Sequence, residues 1–136
     1  CAVVADVEVN RKTGVIRVTR AYSAVDAGLA VNPDGVSSQI EGGIIQSASW
    51  TLKEALKFDR GGVKVKSWAD YPILRFSEVP EVEVAVIARP EAPPLGVGEA
   101  ATGPTAAAIG NAVRAALGVR VRALPITRDA IVAAMG

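Results

Sequence analysis

Residues 32–58 read NPDGVSSQIEGGIIQSASWTLKEALKF, and the fold turns on this stretch. Val36, Ile40, Ile44, Ala48, Leu52 and Leu56 recur every four positions, with further apolar neighbours at Ile45 and Ala55. Such spacing lays one apolar stripe along an α-helix. Asn32 is suited to cap that helix and Pro33 to occupy its first turn. A single long helix is therefore expected from Pro33 to about Phe58, ended by Asp59 to Gly62.

Upstream, Val3, Ala5, Val7 and Val9 alternate with Val4, Asp6, Glu8 and Asn10, and the β-branched run Val15 to Tyr22 follows a turn at Asn10 to Gly14. This is the pattern of a β-hairpin. Ser23 to Val31 has no clear period and reads as a loop. Downstream, Val63 and Val65 alternate with Lys64 and Lys66, and Val82, Val84 and Val86 with Glu81, Glu83 and Ala85, which predicts two further half-buried strands. Ser67 to Pro80 between them is irregular. Pro104 opens an alanine-rich helix that Gly118 closes, Val119 to Ala123 reads as a short strand, and Thr127 caps a final helix with Ile126 and Ile131 as its hydrophobic staple. The expected fold class is α+β, with β-hairpins packed against one long helix and two shorter helices.

At 136 residues, residues 1–136 are expected to form a single domain with its own core. Cys1 is not a translation start, and Ala2 to Asn10 reads as a strand already under way, so a fragment of a larger subunit is expected. Fifteen basic and 14 acidic residues nearly cancel, with few aromatics, which argues against a nucleic-acid groove. No apolar run approaches the length of a membrane span. With no His and one Cys, Ser-His and Cys-His triads, Cys/His zinc sites and internal disulfides are excluded. Proton transfer is left to carboxylates, Lys and Tyr.

Two segments stand out chemically. On the long helix, Gln39, Gly43, Gln46 and Trp50 fall on one stripe, at about 100° per residue. Gly42 and Gly43 together cost that helix roughly 1.5–2 kcal/mol relative to alanines, so some other body should come close there. It could be another helix or strand, or a flat polar heterocycle whose edge the two amides read. The second segment, Arg89 to Gly103, holds Pro90, Pro93, Pro94, Gly96, Gly98 and Gly103, too many breakers for helix or strand, and loops of this length are usually functional. It formally contains G-x-G-x-x-[GA], but no strand leads directly into it and no acid follows about 20 residues on, as a dinucleotide site would need. Pro104 stands where a phosphate loop needs its lysine. What remains is Glu99, a lone carboxylate between glycines leading into a helix N-terminus, which suits either a general base or a capping acid. Asp26, Asp34, Asp59, Asp70, Glu81, Glu83 and Asp129 sit at turns, helix starts or exposed strand positions, where capping and solvation account for them.

Three stretches in order resemble the molybdenum hydroxylases of the xanthine dehydrogenase/aldehyde oxidase type. Val25-Asp26-Ala27-Gly28-Leu29-Ala30-Val31-Asn32-Pro33, followed by Gln39-Ile40-Glu41-Gly42-Gly43-Ile44-Ile45-Gln46, is similar to the family's D-x-G-x-x-x-N-P and Q-x-E-G-[GA]-x-x-Q signature. Asp70-Tyr71-Pro72-Ile73-Leu74-Arg75 is similar to its Y-x-[IL]-x-[RT] segment. Gly96-Val97-Gly98-Glu99 resembles the G-x-G-E loop that carries the family's active-site base. The resemblance is closest to bacterial large subunits of the isoquinoline 1-oxidoreductase and membrane-associated aldehyde dehydrogenase group. The chain departs from the family at Ala100, where proline is common, and at Ser47 and Ser49, where glycines are common.

The resemblance implies the C-terminal part of a large subunit that binds a molybdenum-pterin cofactor, with the metal held by the pterin and by no protein side chain. It implies Glu99 as catalytic base, and Gln39, Gly43, Gln46 and Gly98 as cofactor-binding positions. The reaction implied is hydroxylation of an aldehyde or N-heterocycle with oxygen from water. Electrons would leave through the iron-sulfur clusters of a partner subunit to flavin or a cytochrome, none of them bound by this chain. A non-catalytic packing or assembly domain, with the glycine face docked onto protein and Glu99 as a cap, is the alternative, and a nucleotide-binding module a third.

Overall fold

The computed structural model describes all 136 residues as an α+β fold in two layers. Strands β1 (Ala2–Val9) and β2 (Ile16–Asp26) form the expected hairpin, and β5 (Glu81–Ile87) adds to the far side of β2 in parallel, giving the order β1-β2-β5. Helices α1 (Pro33–Leu52) and α2 (Thr102–Leu117) lie against this sheet and against each other, and α3 (Arg128–Met135) ends the chain. Ala5, Val18, Ala21, Ser23 and Val25 face the helices and are buried, while their strand neighbours face out.

Between Asp6 and Val7 the hairpin register shifts by one residue: Asp6 pairs with Arg20 and Val7 with Val18, leaving Thr19 as the extra residue of a bulge. The bulge allows Val18 and Ala21, three apart, to point to the same side, which strict alternation forbids. The core then has two parts. Ala5, Val18, Ala48, Leu52, Ile109, Val113, Ile126 and Ile131 join β1 to the three helices. Ala21, Val25, Ile40, Ile44 and Ala101 form the second, under the N-terminal half of α1.

Several sequence expectations need correction. β2 continues to Asp26, through residues read as loop, because β5 offers Ser23 to Asp26 a parallel partner that no local pattern reveals. α1 ends at Leu52 and not near Phe58; Lys53 leaves the helical region at φ −132°, and Leu56, the last apolar residue of the stripe, is exposed. The strand expected at residues 63–66 is reduced to a two-residue ribbon, β3 (Phe58–Asp59) with β4 (Gly62–Val63), closed by Gly62 at φ +103° and by the Asp59 carboxylate accepting from the Gly61 N–H at 2.8 Å. Val119 to Ala123, read as a short strand, forms none. The caps are as read: Asn32 Oδ1 accepts from the Gly35 N–H at 3.0 Å, Thr127 Oγ1 from the Ala130 N–H at 3.2 Å, and Gly118 takes φ +78° at the end of α2.

Candidate cofactor and active site

Parallel pairing brings the carboxyl ends of β2 and β5 side by side, with Asp26 opposite Ile87. The two loops that leave these ends, residues 27–32 and 88–101, therefore start together and run beside the first turns of α1. An open groove of about 410 Å³ lies where they meet, lined among others by Ala30, Asn32, Gln39, Leu95, Val97 and Gly98.

Gln39 and Gly98, 59 residues apart in sequence, touch there: Gln39 Nε2 donates to the Gly98 carbonyl at 2.8 Å. Both are exposed, and the side-chain oxygen Gln39 Oε1 makes no bond within the chain. Glu99 follows directly. Its main-chain oxygen accepts from the Thr102 N–H at 3.1 Å and the Thr102 hydroxyl at 2.8 Å, which starts α2, while its carboxylate is exposed and bonds to nothing in the chain. Of the two roles left open for Glu99, a cap formed by its side chain is not made; its carbonyl holds Thr102 instead. Two residues on, Ala101 is buried, and its methyl lies 3.4 Å from where a Cβ on Gly43 would stand. At Gly43 the loop that carries Glu99 therefore packs on the helix at ordinary van der Waals distance, which a Cβ would tolerate, and within the chain nothing comes closer to the glycine pair.

Gly42, Gly96 and Gly98 differ from Gly43. None has a positive φ, and a Cβ on any of them would project into open space. Nothing inside the chain requires glycine at these three positions. Gln46 lies two turns along α1 from Gln39, exposed and without a hydrogen bond, so the structure places it on the same helix but not in the same cluster. The donor set fits a flat polar cofactor: a free amide oxygen at Gln39, a whole amide at Gln46, and glycines that leave main chain accessible.

Five of the other carboxylates are paired with cations, while Asp6, Glu8, Asp34, Glu41, Glu83 and Asp129 are, like Glu99, without a side-chain partner but stand outside this groove. Asp59 pairs with Lys64, Glu81 with Arg20, Glu78 with Lys53, and Asp26 and Glu91 with Arg89. The Lys64 ammonium and the Gly61 N–H hold the Asp59 carboxyl below its usual value, and the Lys53 ammonium and the Arg75 N–H do the same for Glu78. No three His, Cys, Asp or Glu side chains converge.

Asp26 and Gly28 carry more than their sequence suggested. Asp26 Oδ1 accepts from the Gly28 N–H at 2.9 Å, and Oδ2 from Arg89 Nη1 at 3.3 Å. Gly28, at φ +62°, lies so close to the 88–101 loop that a Cβ would sit 2.0 Å from the Pro93 carbonyl oxygen. On either side, the Leu29 N–H donates to Ala92 at 3.0 Å and the Leu95 N–H to Ala27 at 2.9 Å. An Asx-turn pattern, Asp-x-Gly, is the one local signal of this arrangement.

Residues 1–80 match the molybdopterin cofactor-binding domain family. Over 98% of its length the chain is 50% identical to a nicotinate dehydrogenase subunit of Pseudomonas putida, and over 92% it is 37% identical to the beta subunit of isoquinoline 1-oxidoreductase of Brevundimonas diminuta. It spans only 11% and 16% of those two proteins. The crystal structure of quinoline 2-oxidoreductase from Pseudomonas putida superposes with a TM-score of 0.85 at 32% identity, over 95% of this chain and 17% of that one. No helix here is long and apolar enough to cross a membrane. The chain belongs to the molybdopterin cofactor-binding domain family, within the molybdenum oxidoreductases of the xanthine dehydrogenase/aldehyde oxidase type.

Proposed function

We propose that this chain supplies the active-site base, Glu99, and one wall of the pterin-cofactor site of a molybdenum hydroxylase acting on an aldehyde or N-heterocycle, with water as oxygen source. The observation that carries this reading is the bond from Gln39 to the Gly98 carbonyl, which fixes the main chain next to a carboxylate that no cation in the chain neutralises. A general base has to be free to accept a proton and held where that proton is. The names of the relatives, nicotinate and isoquinoline enzymes among them, agree with substrates of this class.

When bound, the cofactor supplies the metal centre that accepts the electrons taken from the substrate carbon. Within this chain, Gln39 Oε1 and the Gln46 side-chain amide would read the polar edge of the pterin. Gly43 and Gly98 keep side chains out of its way. Glu99 takes up, on its carboxylate, the proton of the water-derived oxygen that is inserted. The rest of the large subunit completes the site, and an iron-sulfur partner subunit with flavin or a cytochrome carries the electrons away. The isolated chain should fold but be inert.

Glu99→Gln preserves shape and removes the base. In the full-length enzyme it should lower turnover by about 10²- to 10⁴-fold while molybdenum and pterin content stay at the parent level. Near-normal turnover would remove Glu99 from the mechanism and favour an assembly role. Under that alternative the open glycines Gly42, Gly96 and Gly98 would face docked protein in place of the pterin, so turnover of the Glu99→Gln variant is what separates the two readings.

A further inference from the structure

We propose that Asp26 and Gly28 are positioning residues for Glu99, holding the loop that bears it at the level of the main chain; the inference rests on Glu99 being the base. Residues 88–101 contain no helix or strand to stiffen them, and Pro93 and Pro94 have no N–H to donate. The loop is instead stitched to residues 27–29 by two main-chain bonds that bracket the prolines, Leu29 N–H to Ala92 and Leu95 N–H to Ala27. Between them the Pro93 carbonyl rests on the bare Cα of Gly28.

No side chain fits at this crossing. A Cβ at residue 28 would stand 2.0 Å from the Pro93 oxygen, against roughly 3 Å for even a tight contact, so the loop would have to retreat by about 1 Å. Asp26 sets the approach from both ends, because one of its oxygens folds the turn that presents Gly28 and the other holds Arg89, where the loop begins. Only three residues, Gly96, Val97 and Gly98, separate Leu95 from Glu99, and Gly98 is itself tied to Gln39. Moving the stitch therefore drags on the segment that aims the carboxylate.

The test uses the full-length holoenzyme carrying Gly28→Ala, with Asp26→Asn as a variant that keeps size and backbone freedom if the first fails to fold. A misplacement of about 1 Å should lower kcat by about 10²-fold in Gly28→Ala, with KM and molybdenum and pterin content little changed, and Asp26→Asn should show a smaller loss in the same direction. Hydrogen exchange at the Leu29 and Leu95 amides should accelerate while β1 and α2 exchange as in the parent. Combined with Glu99→Gln, Gly28→Ala should cause no further loss of the residual rate, because both act on one group. Multiplying losses in that double variant, or parent-like kcat and loop exchange in the single ones, would overturn the assignment. If Glu99→Gln alone keeps normal turnover, the base reading falls separately, and the exchange data still decide whether residues 26–28 hold the loop.

Discussion

Two long irregular stretches, residues 53–80 and 88–101, are held in opposite ways. The first is fastened by side chains: Lys53 to Glu78, Lys64 to Asp59, Ser67 to Asp70, and the Ser49 hydroxyl to the Leu74 N–H at 2.9 Å. It leaves Phe58, Trp68 and Phe76 exposed, the last completely. The second is fastened at its middle by two main-chain bonds, Leu29 to Ala92 and Leu95 to Ala27, by a glycine crossing and by the buried Ala101, with side-chain bonds from Asp26 and Gln39 at either side. Side-chain fastenings carry several rotatable bonds each and yield when a partner is replaced. Main-chain fastenings have no such slack, and a loop that must aim one carboxylate gains from that stiffness.

The contrast can be broken most sharply at Gln39, the one side chain that reaches the second loop near Glu99. Gln39→Ala in the full-length enzyme should lose bound pterin, about 10- to 100-fold in affinity, and loosen Gly98 as seen by hydrogen exchange. Full pterin occupancy with a parent-like loop would show that the main chain alone suffices. In the first stretch, Ser49→Ala leaves the Leu74 N–H without its acceptor, and thermal unfolding should report a loss of about 1–2 kcal/mol. An unchanged melting temperature would mean that this stretch is free to rearrange.

Glu78→Gln should have the smallest effect, about 0.5–1 kcal/mol, because the pair with Lys53 is partly screened by solvent. The folded Glu78 carboxyl titrates below its ordinary value near 4.5, owing first to Lys53 and then to the Arg75 N–H. Its contribution is therefore complete above that value and is lost as the pH falls through the folded pKa. Parent and variant should differ at pH 7 and converge in acid. A difference that persists in acid would assign the effect to packing and not to charge.

Elements with a strong local period were legible. The stripe from Val36 to Leu52, the Asn32 and Thr127 caps and the opening hairpin all follow from neighbouring residues. Glu99, Gln39, Gly43 and Gly98 were also marked by their motifs, although no spacing indicates that residues 39 and 98 meet. The last four residues of β2 looked like loop because their partner, β5, lies about sixty positions away. The final turn expected of α1 failed because Leu56 had an apolar residue's period but no core beneath it.

From the order of its residues alone this protein determined its helices, their caps, the α+β class and the family signature, since propensity and capping act within a few positions along the chain. Tertiary structure decided that β2 and β5 run parallel, that Ala101 covers Gly43, and that Pro93 crosses Gly28. Such contacts join residues tens of positions apart, and only the burial of a shared core selects which of them form.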